Sequence, residues 1–340
     1  MSMEAKTIIT ALNRWYVRHK RDLPWRASVT PYRVWLSEIM LQQTTVPAVI
    51  PYFAKFTEDY PTVDAMATAP LDDIMRDWAG LGYYSRARNL HACAQVVANT
   101  HGGTFPSDIA GLKALPGIGD YTAGAIRAIA FNKKASVVDG NVDRVISRLY
   151  AIETPLPASK PEIRARADTI YMDAANTKPA DLPQAFMDLG ATICTPQKPK
   201  CMSCPLSEVC EAKANGLQDE LPRKTRAKDR PKRTGWVYWV TDVKGRTLLH
   251  RRPAKGLLGG MAGLPTSDWS DVLPAHEAIY DIVRVEKETV RHVFTHFELT
   301  LHVVHARIVD KAPDGFYWAK LDDAGLPSVF AKVVKLLQAA

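Results

Sequence analysis

Four of the five cysteines lie within 17 residues, spaced as Cys194-x6-Cys201-x2-Cys204-x5-Cys210. Thiolates at this spacing are typical ligands of a [4Fe-4S] cluster or of a structural zinc ion. Spacing alone does not choose the metal, although we expect the cluster rather than zinc. Two disulfides are disfavoured, because a chain of this size needs no such cross-links and residues 1–10 lack the apolar core of a signal peptide. Cys93 lies in an apolar run and is expected to be a buried thiol.

Two glycines define a short hairpin in the segment Leu115-Pro116-Gly117-Ile118-Gly119. One predicted helix ends near Ala114 and the next begins at Asp120. Gly117 and Gly119 permit positive φ and close approach, so backbone N–H groups at the start of the second helix can face an anion. We expect this anion to be a DNA phosphate. A tight turn without a ligand is the alternative, since Gly-x-Gly alone is a weak signal, but the small residues at 123–125 favour closely packed helices.

Glu38 lies on a predicted helix from Pro31 to Thr44, beside the apolar residues Val34, Trp35 and Leu41. Burial among such neighbours raises the pKa of a carboxyl group. A carboxylic acid that stays protonated near neutral pH can donate its proton to a leaving group. The alternative is an ordinary surface glutamate on an amphipathic helix.

Asp139 directly precedes a second predicted helix, Val142 to Leu149. N–H groups at the helix start and the amide of Asn141 are expected to keep this carboxylate ionised. An ordinary N-cap is the alternative. A neutral acid and a charged acid together are typical of enzymes that cleave glycosidic bonds through a cationic sugar.

The composition favours two domains and a polyanionic partner. The chain has 340 residues, 46% of them hydrophobic, and 44 Lys and Arg against 36 Asp and Glu give a net charge of +8. This charge suits nucleic acid. The apolar stretches are far shorter than the ~20 residues of a membrane span, so we expect no membrane association and a reducing, cytoplasm-like compartment.

The character of the sequence changes after about residue 220. Short helices are predicted up to residue 215, and residues 221–234 form a basic linker with two prolines. From residue 235 the apolar residues alternate, which predicts strands. These strands are Trp236 to Thr241, Arg246 to His250 and Phe297 to Val303, followed by a helix from Pro327 to Gln338. The last third is therefore predicted to be a separate α+β domain.

The hairpin, the Asp139 segment and the cysteine spacing together resemble the helix-hairpin-helix DNA glycosylases related to endonuclease III. Within that superfamily, the strings WLSEIMLQQT at 35–44, LGYYSRARNL at 81–90 and MDLGATICT at 187–195 resemble the MutY-type adenine DNA glycosylases. The resemblance implies a mainly α helix-hairpin-helix core with an iron-sulfur cluster loop, plus a C-terminal α+β Nudix-like domain. Within residues 1–220 it implies a barrel at 30–135 and an iron-sulfur subdomain formed by 1–29 with 136–220.

The implied activity is removal of adenine mispaired with 8-oxoguanine or guanine from duplex DNA. Glu38 and Asp139 match the catalytic acids of the family. Bifunctional relatives carry a lysine where this chain has Tyr121, so no Schiff base is expected and the enzyme is predicted to be monofunctional. Tyr121 is expected beside Asp139 as a hydrogen-bond donor, with hairpin packing as the alternative.

The resemblance also implies DNA contacts, because the target base must leave the stack. Gln43, Thr44 and Tyr83 match residues that fill the gap, and Trp25 and Arg26 match the adenine pocket, where simple packing is the rival role for Trp25. Arg86 is expected to contact a phosphate. Thr295 and His296 of the C-terminal domain match the segment that recognises 8-oxoguanine. This Nudix-like domain lacks the acidic cluster that holds magnesium, so nucleotide hydrolysis is not expected.

Two other functions fit parts of the sequence. One is endonuclease III-like excision of oxidised pyrimidines, which Tyr121 and the second domain disfavour. The other is a non-catalytic DNA-binding module, which the retention of both Glu38 and Asp139 disfavours. We expect the chain to act as a monomer on duplex DNA in the bacterial cytoplasm, associated with the nucleoid.

Overall fold

The computed structural model describes residues 3–225, 229–253, 256–308, 312, 314–321 and 324–339. The chain forms two compact units, one of Met1–Thr68 with Ala92–Arg226 and one of Ala69–His91 with Ala227–Ala340. Residues 69–91 thus cluster with the C-terminal part of the chain, although they lie inside the predicted barrel. In the described part of the chain, no helix is both long and apolar enough to cross a bilayer.

The first unit is helical. Its helices are α1 (Met3–His19), α2 (Pro24–Ala27), α3 (Pro31–Leu41), α4 (Val46–Asp59), α5 (Val63–Thr68), α8 (Ile109–Ala114), α9 (Asp120–Ala125), α10 (Gly140–Leu149), α11 (Lys160–Tyr171), α12 (Asp181–Thr192) and α13 (Glu211–Ala214). Helix α6 (Leu71–Asp77) belongs to the second unit, and α7 (Ser85–His101) contributes residues to both. A π-helical turn (Ile126–Ala130) extends α9.

Side-chain caps begin several of these helices. The Thr30 hydroxyl accepts a hydrogen bond from Arg33 N, and the Asp108 carboxylate accepts one from Gly111 N. Helix α3 ends at Leu41, three residues before the predicted end. The reason is local, because Gln43 adopts a left-handed backbone with φ of 57°, which a helix cannot continue through.

The hairpin helices pack as closely as the small residues predict. Ala123, Gly124 and Ala125 are all buried. A Cβ atom placed on Gly124 would lie 2.2 Å from the carbonyl oxygen of Ser136. Only glycine therefore allows α9 to approach the segment that leads to Asp139.

The second unit contains two three-stranded sheets. In the first, β5 (Glu298–Ile308) lies between β1 (Lys232–Trp239), which is parallel to it, and β4 (Tyr280–Val293), which is antiparallel. In the second, β2 (Thr247–Arg251) lies between β3 (Ala262–Gly263) and β6 (Phe316–Ala319), both antiparallel to it. Helix α14 (Ser328–Ala339) shares a core with the first sheet, so the α+β prediction is confirmed.

The predicted strands are present, with shifted ends. The alternating residues Phe297, Leu299, Leu301 and Val303 are buried, as their spacing predicts. Strand β4 was not predicted over most of its length. Six charged residues interrupt its alternation, and its pairing with β5 shifts register twice. A solvated, irregular strand gives a weak period-two signal.

The linker in the structure is shorter than the predicted range, residues 221–234. Leu221 is buried, Leu156 N donates to Arg223 O, and Thr225 N donates to Leu156 O, so the first residues pair with the helical unit. Strand β1 already begins at Lys232. Residues 226–228 of the predicted linker lie outside the described residues. Cys93 is fully buried, as expected.

Candidate active site

One cavity of about 510 Å³ in the helical unit contains most of the predicted site. Its volume is in the range of about 300–1,000 Å³ typical of small-molecule sites. Helices α2, α3, α9 and α12 and the start of α10 surround it. The predicted residues that line it are Trp25, Arg26, Glu38, Gln43, Thr44, Tyr121, Asp139 and Asn141.

Glu38 is the buried acid of this cavity. It is 6% exposed on a helix whose neighbouring side chains are apolar, and burial raises its pKa to about 7. The hydrogen bond from Tyr121 and the charge of Arg26 oppose the rise, whereas Asp139 adds to it. A substantial fraction of Glu38 is therefore protonated at neutral pH, as a general acid requires.

The Tyr121 hydroxyl donates a hydrogen bond of 2.7 Å to Oε2 of Glu38. Tyr121 was expected beside Asp139 as a hydrogen-bond donor. It lines the same cavity as Asp139, and the acceptor of its hydrogen bond is Glu38 on α3. Burial and the adjacent Glu38 raise the pKa of Tyr121 well above its usual value, so the phenol stays a donor. Tyr121 therefore fixes one oxygen of Glu38 and leaves the other for a ligand.

Asp139 accepts hydrogen bonds through both of its carboxylate oxygens. Its Oδ1 accepts a hydrogen bond of 2.8 Å from Val142 N at the start of α10, and its Oδ2 accepts one of 3.0 Å from Nδ2 of Asn141. Both contacts match the sequence-based expectation. Asp139 is thus an N-cap as well as a lining residue of the cavity, so the two interpretations of this residue are compatible.

Arg144, which the sequence did not single out, holds Asn141 in place. Its Nη2 donates to Oδ1 of Asn141 at 2.9 Å and to Gly190 O at 2.7 Å, while its Nε donates to Cys194 O at 2.8 Å. A Cβ atom on Gly190 would lie 2.7 Å from Cβ of Asn141. The segment before the first clustered cysteine therefore contacts the residue that orients Asp139.

Helix α12 supplies a wall of the cavity that sequence reasoning missed. Gln184, Met187 and Ala191 line the cavity, and their spacing of three and four residues places them on one helix face. The string that resembles the family in this region begins only at Met187, so no motif indicated a role for Gln184. Helical spacing from Met187 and Ala191 does place Gln184 on the same face of α12.

The four clustered cysteines line a second, smaller cavity together with Arg148. Arg148 is 2% exposed, and its Nη1 donates to Sγ of Cys194 at 3.3 Å. Four thiols around one cavity provide a ligand set that suits either a [4Fe-4S] cluster or a tetrahedral zinc ion.

Two predicted DNA-facing residues share an unusual backbone. Gln43 and Tyr83 have φ values of 57° and 48°, in the left-handed region that non-glycine residues rarely adopt. Gln43 is exposed, and Tyr83 is 45% exposed while the following Tyr84 is buried. Strain of this kind is concentrated at functional sites.

The hairpin predicted at residues 115–119 forms, with one difference from the prediction. Gly117 and Gly119 are exposed between α8 and α9. Only Gly117 has positive φ, at 76°, whereas Gly119 is the N-cap of α9 with φ of −96°. Gly119 is therefore suited to close approach of a ligand rather than to an unusual backbone conformation.

In the second unit, Tyr83 and Thr295 meet although 212 residues separate them. The Tyr83 hydroxyl lies 3.4 Å from the Thr295 hydroxyl, and Thr295 and His296 are exposed in the turn between β4 and β5. Arg86 is buried, and its Nη2 donates to the carbonyl oxygens of Leu81 and Gly82. The expectation that Arg86 contacts a phosphate is therefore wrong, because its guanidinium holds the Tyr83 loop instead.

Comparison with known proteins agrees with this geometry. Residues 36–169 match the HhH-GPD superfamily of base excision DNA repair proteins, residues 194–210 the iron-sulfur binding domain of endonuclease III, and residues 236–336 the NUDIX domain. The chain is 39% identical to the adenine DNA glycosylase of Mycobacterium tuberculosis, over 70% of this chain and 76% of the relative. The human adenine DNA glycosylase is 32% identical, over 96% of this chain and 73% of the relative. The chain belongs to the adenine DNA glycosylases, N-glycosylases of base excision repair.

Membership of this family decides the questions that spacing left open. The adenine DNA glycosylase of Buchnera aphidicola from Acyrthosiphon pisum is 39% identical, over 67% of this chain and 65% of its own length. The matched iron-sulfur domain makes the cofactor of the four cysteines a [4Fe-4S] cluster, so zinc and disulfides are excluded. The predicted fold class, a helical core with a cluster loop and a NUDIX domain, is likewise confirmed.

Solved structures match the helical part of this adenine DNA glycosylase. A thermostable thymine-DNA glycosylase superposes with a TM-score of 0.55 and 30% identity, covering 62% of this chain and 97% of that chain. An endonuclease III–DNA complex superposes with a TM-score of 0.53 over 63% of this chain and 97% of that chain, and at 23% identity it shows the shared fold alone.

Proposed function

We propose that the chain hydrolyses the N-glycosidic bond of adenine mispaired with 8-oxoguanine or guanine in duplex DNA. The observation that carries the proposal is the pairing of acids in one cavity. Glu38 is buried, partly protonated and hydrogen-bonded to Tyr121, while Asp139 in the same cavity is held by Val142 N and Asn141. These are the two states that acid-assisted departure of a purine needs.

Each acid has a separate role in the proposed reaction. Glu38 donates its proton to a ring nitrogen of adenine, which makes the base a better leaving group. The C1′–N bond then breaks with its electron pair going to the base, and positive charge develops on the sugar. Asp139 stabilises that charge until water adds to C1′ and loses a proton. Tyr121 orients Glu38.

The proposed enzyme is monofunctional because no amine is placed to attack the sugar. The lining of the cavity, within the described chain, contains no lysine. Three lysines close to the hairpin in the sequence have other partners: Lys113 pairs with Asp120 at 2.6 Å, Lys133 donates to the Ser107 hydroxyl, and Lys134 donates to Asp173 O. A Schiff base, and with it strand cleavage, is therefore not expected.

The DNA contacts follow from exposure and backbone geometry. Gln43, with Thr44 beside it, is proposed to fill the space left by the extruded adenine, and Trp25 and Arg26 to contact the base in the cavity. In the second unit, Tyr83 is proposed to wedge next to 8-oxoguanine. Trp25 also packs edge-on against Phe53, so it supports the pocket wall as well. Gly117 and Gly119 are proposed to receive a phosphate, and Thr295 with His296 to contact 8-oxoguanine.

The [4Fe-4S] cluster is proposed to shape the loop that carries Lys198 and Lys200, both exposed, for contact with DNA. The cluster supplies no reaction step, since hydrolysis of an N-glycosidic bond transfers no net electrons. Thiolate ligands of this kind suit a reducing compartment, and we infer that the enzyme acts there as a monomer on chromosomal DNA.

A duplex assay tests the proposal directly. DNA with adenine opposite 8-oxoguanine is incubated with purified protein, and abasic sites are revealed by alkali. We expect strand breaks at the adenine position only after alkali, and none in a matched duplex carrying an oxidised pyrimidine. Breaks without alkali would contradict the monofunctional mechanism, and breaks only at the oxidised pyrimidine would replace the proposed substrate.

A further inference from the structure

A buried carboxylate that the mechanism does not use lies directly behind the adenine cavity. Asp188 is on the α12 face next to Met187, and its side chain is fully buried. A buried, unpaired carboxylate is strongly unfavourable, so its partners are informative. Those partners are Arg21 and Arg26, and both of them line the cavity.

The two arginines bind Asp188 in different ways. Arg26 makes a two-pronged contact, with Nη1 2.7 Å from Oδ2 and Nη2 3.0 Å from Oδ1. Arg21 donates its backbone N–H to Oδ2 at 3.0 Å and its Nε to Oδ1 at 2.7 Å. Four hydrogen bonds therefore saturate the carboxylate, and the planar fork of Arg26 fixes the orientation of its guanidinium.

Arg26 has a second carboxylate in the same cavity, that of Glu38. The groups that act on Glu38 are Tyr121 from α9, Asp139 at the start of α10 and Arg26 from α2, and of these Arg26 is the cation. A guanidinium paired with Glu38 would stabilise the carboxylate form of Glu38. Such a pair would remove the proton that the reaction needs.

We propose that Asp188 is a positioning residue that holds the Arg26 guanidinium away from Glu38, so that the acid of the adenine cavity stays available in its protonated form. The inference rests on the proposed function, since it concerns the same proton donor. It assigns Asp188 no contact with substrate. A purely structural role would instead limit Asp188 to joining the Arg21–Arg26 segment to α12.

The test is the pH dependence of adenine release under single-turnover conditions with enzyme in excess over an adenine:8-oxoguanine duplex. Because Glu38 acts as an acid, the rate is highest below its pKa and falls as the pH rises through it. In Asp188→Asn, Arg26 loses its partner and turns toward Glu38. The fall of the rate on the alkaline side of the pH–rate curve, called here the alkaline limb, is then expected to occur about 1 pH unit or more lower than in the wild type.

Matched variants separate this effect from damage to the fold. Asp188→Glu keeps a carboxylate, and Arg21→Gln keeps the Arg26–Asp188 fork, so both are expected to retain the wild-type limb. In the double variant Asp188→Asn with Arg26→Gln no guanidinium can reach Glu38, and the limb is expected to return toward the wild-type position even if the rate stays low.

If the Asp188→Asn variant does not fold, the Arg26→Lys variant provides the test of the inference. Lysine keeps the charge but cannot form the fork, so the same downward shift is expected. An alkaline limb that stays at the wild-type pH in Asp188→Asn, or in Arg26→Lys where the former is unfolded, overturns the inference. Failure of the proposed function is distinguishable, because wild-type protein would then release no adenine at any pH.

Discussion

At the scale of single residues, the site depends on giving two carboxyl groups opposite surroundings. Glu38 is buried on α3 with one phenol donor, whereas Asp139 accepts hydrogen bonds from a helix start and from an amide. Burial favours the neutral acid, and hydrogen bonds to a carboxylate favour the charged one. In the proposed reaction, the same chemical group therefore acts as proton donor in one place and as anion in the other.

Tyr121→Phe tests the hydrogen bond to Glu38. That bond lowers the pKa of Glu38 against the effect of burial, so its loss is expected to raise the pKa above about 7 and to move the alkaline limb of adenine release to higher pH. The single-turnover rate measured from pH 6 to 9 gives the limb. A limb that moves to lower pH would show that Tyr121 does not act on Glu38 in this way.

Much of this residue-level arrangement was predictable from the sequence. The apolar neighbours of Glu38 and the position of Asp139 before α10 are local features, so their surroundings could be inferred from nearby residues. The partner of Tyr121 and the burial of Arg86 could not, because each depends on how distant segments pack. Gln184 and Asp188 also escaped prediction, since a helical face shows no function until the facing elements are known.

At the scale of elements, Gly124 of α9 and Gly119 of the hairpin have different roles, which one substitution at each position can separate. Gly124→Ala would place Cβ 2.2 Å from Ser136 O, which is backbone and cannot easily move, so α9 must shift. Overpacking of this kind costs about 1–3 kcal/mol of the free energy of unfolding. Thermal or denaturant unfolding of the full chain measures the loss.

Gly119→Ala is the matched variant with the opposite expected behaviour. Nothing lies within 4 Å of a Cβ at Gly119, and its φ of −96° suits alanine, so the free energy of unfolding is expected to stay within about 0.5 kcal/mol of wild type. If a phosphate approaches this backbone, the added methyl group weakens binding of duplex DNA. Unchanged affinity would show that the hairpin does not receive a phosphate at Gly119.

The elements themselves were predicted with uneven success for physical reasons. Capped helices with clear periodicity, such as α3 and α10, were found to within a few residues, and the end of α3 was missed because the left-handed Gln43 has no sequence signal. Strand β5 was visible from its buried alternation. Strand β4 was hidden by surface charges, since a strand with few buried residues has little pattern to detect.

At the scale of the whole molecule, residues far apart in the chain are proposed to contact the base opposite adenine. Within the second unit, the hydroxyl oxygens of Tyr83 and Thr295 lie 3.4 Å apart. Thr295→Ala is expected to reduce the preference for adenine opposite 8-oxoguanine over adenine opposite guanine by about 10-fold, since a lost hydrogen bond costs roughly 1–1.5 kcal/mol. The ratio of the dissociation constants for the two duplexes measures this preference. An equal loss of affinity for both duplexes would contradict a role of Thr295 in recognising 8-oxoguanine.

Arg148 joins α10 to the start of the cysteine loop, since its Nη1 donates to Cys194 Sγ and to Thr195 O. Cys204→Ser is expected to remove the visible absorption of the cluster and to weaken DNA binding, since the lysine-bearing loop loses its framework. Cys93→Ser is the control, as Cys93 lies outside the cluster. Full DNA affinity in cluster-free protein would contradict the proposed role of the loop.

The central claim is that a protonated Glu38 and an ionised Asp139 together release adenine, and the most direct test is the single-turnover rate of Glu38→Gln and Asp139→Asn on a duplex with adenine opposite 8-oxoguanine. Both variants are expected to bind this duplex and to lose about 10²–10⁴-fold or more in the rate of adenine release. Release at the wild-type rate by either variant would contradict the account.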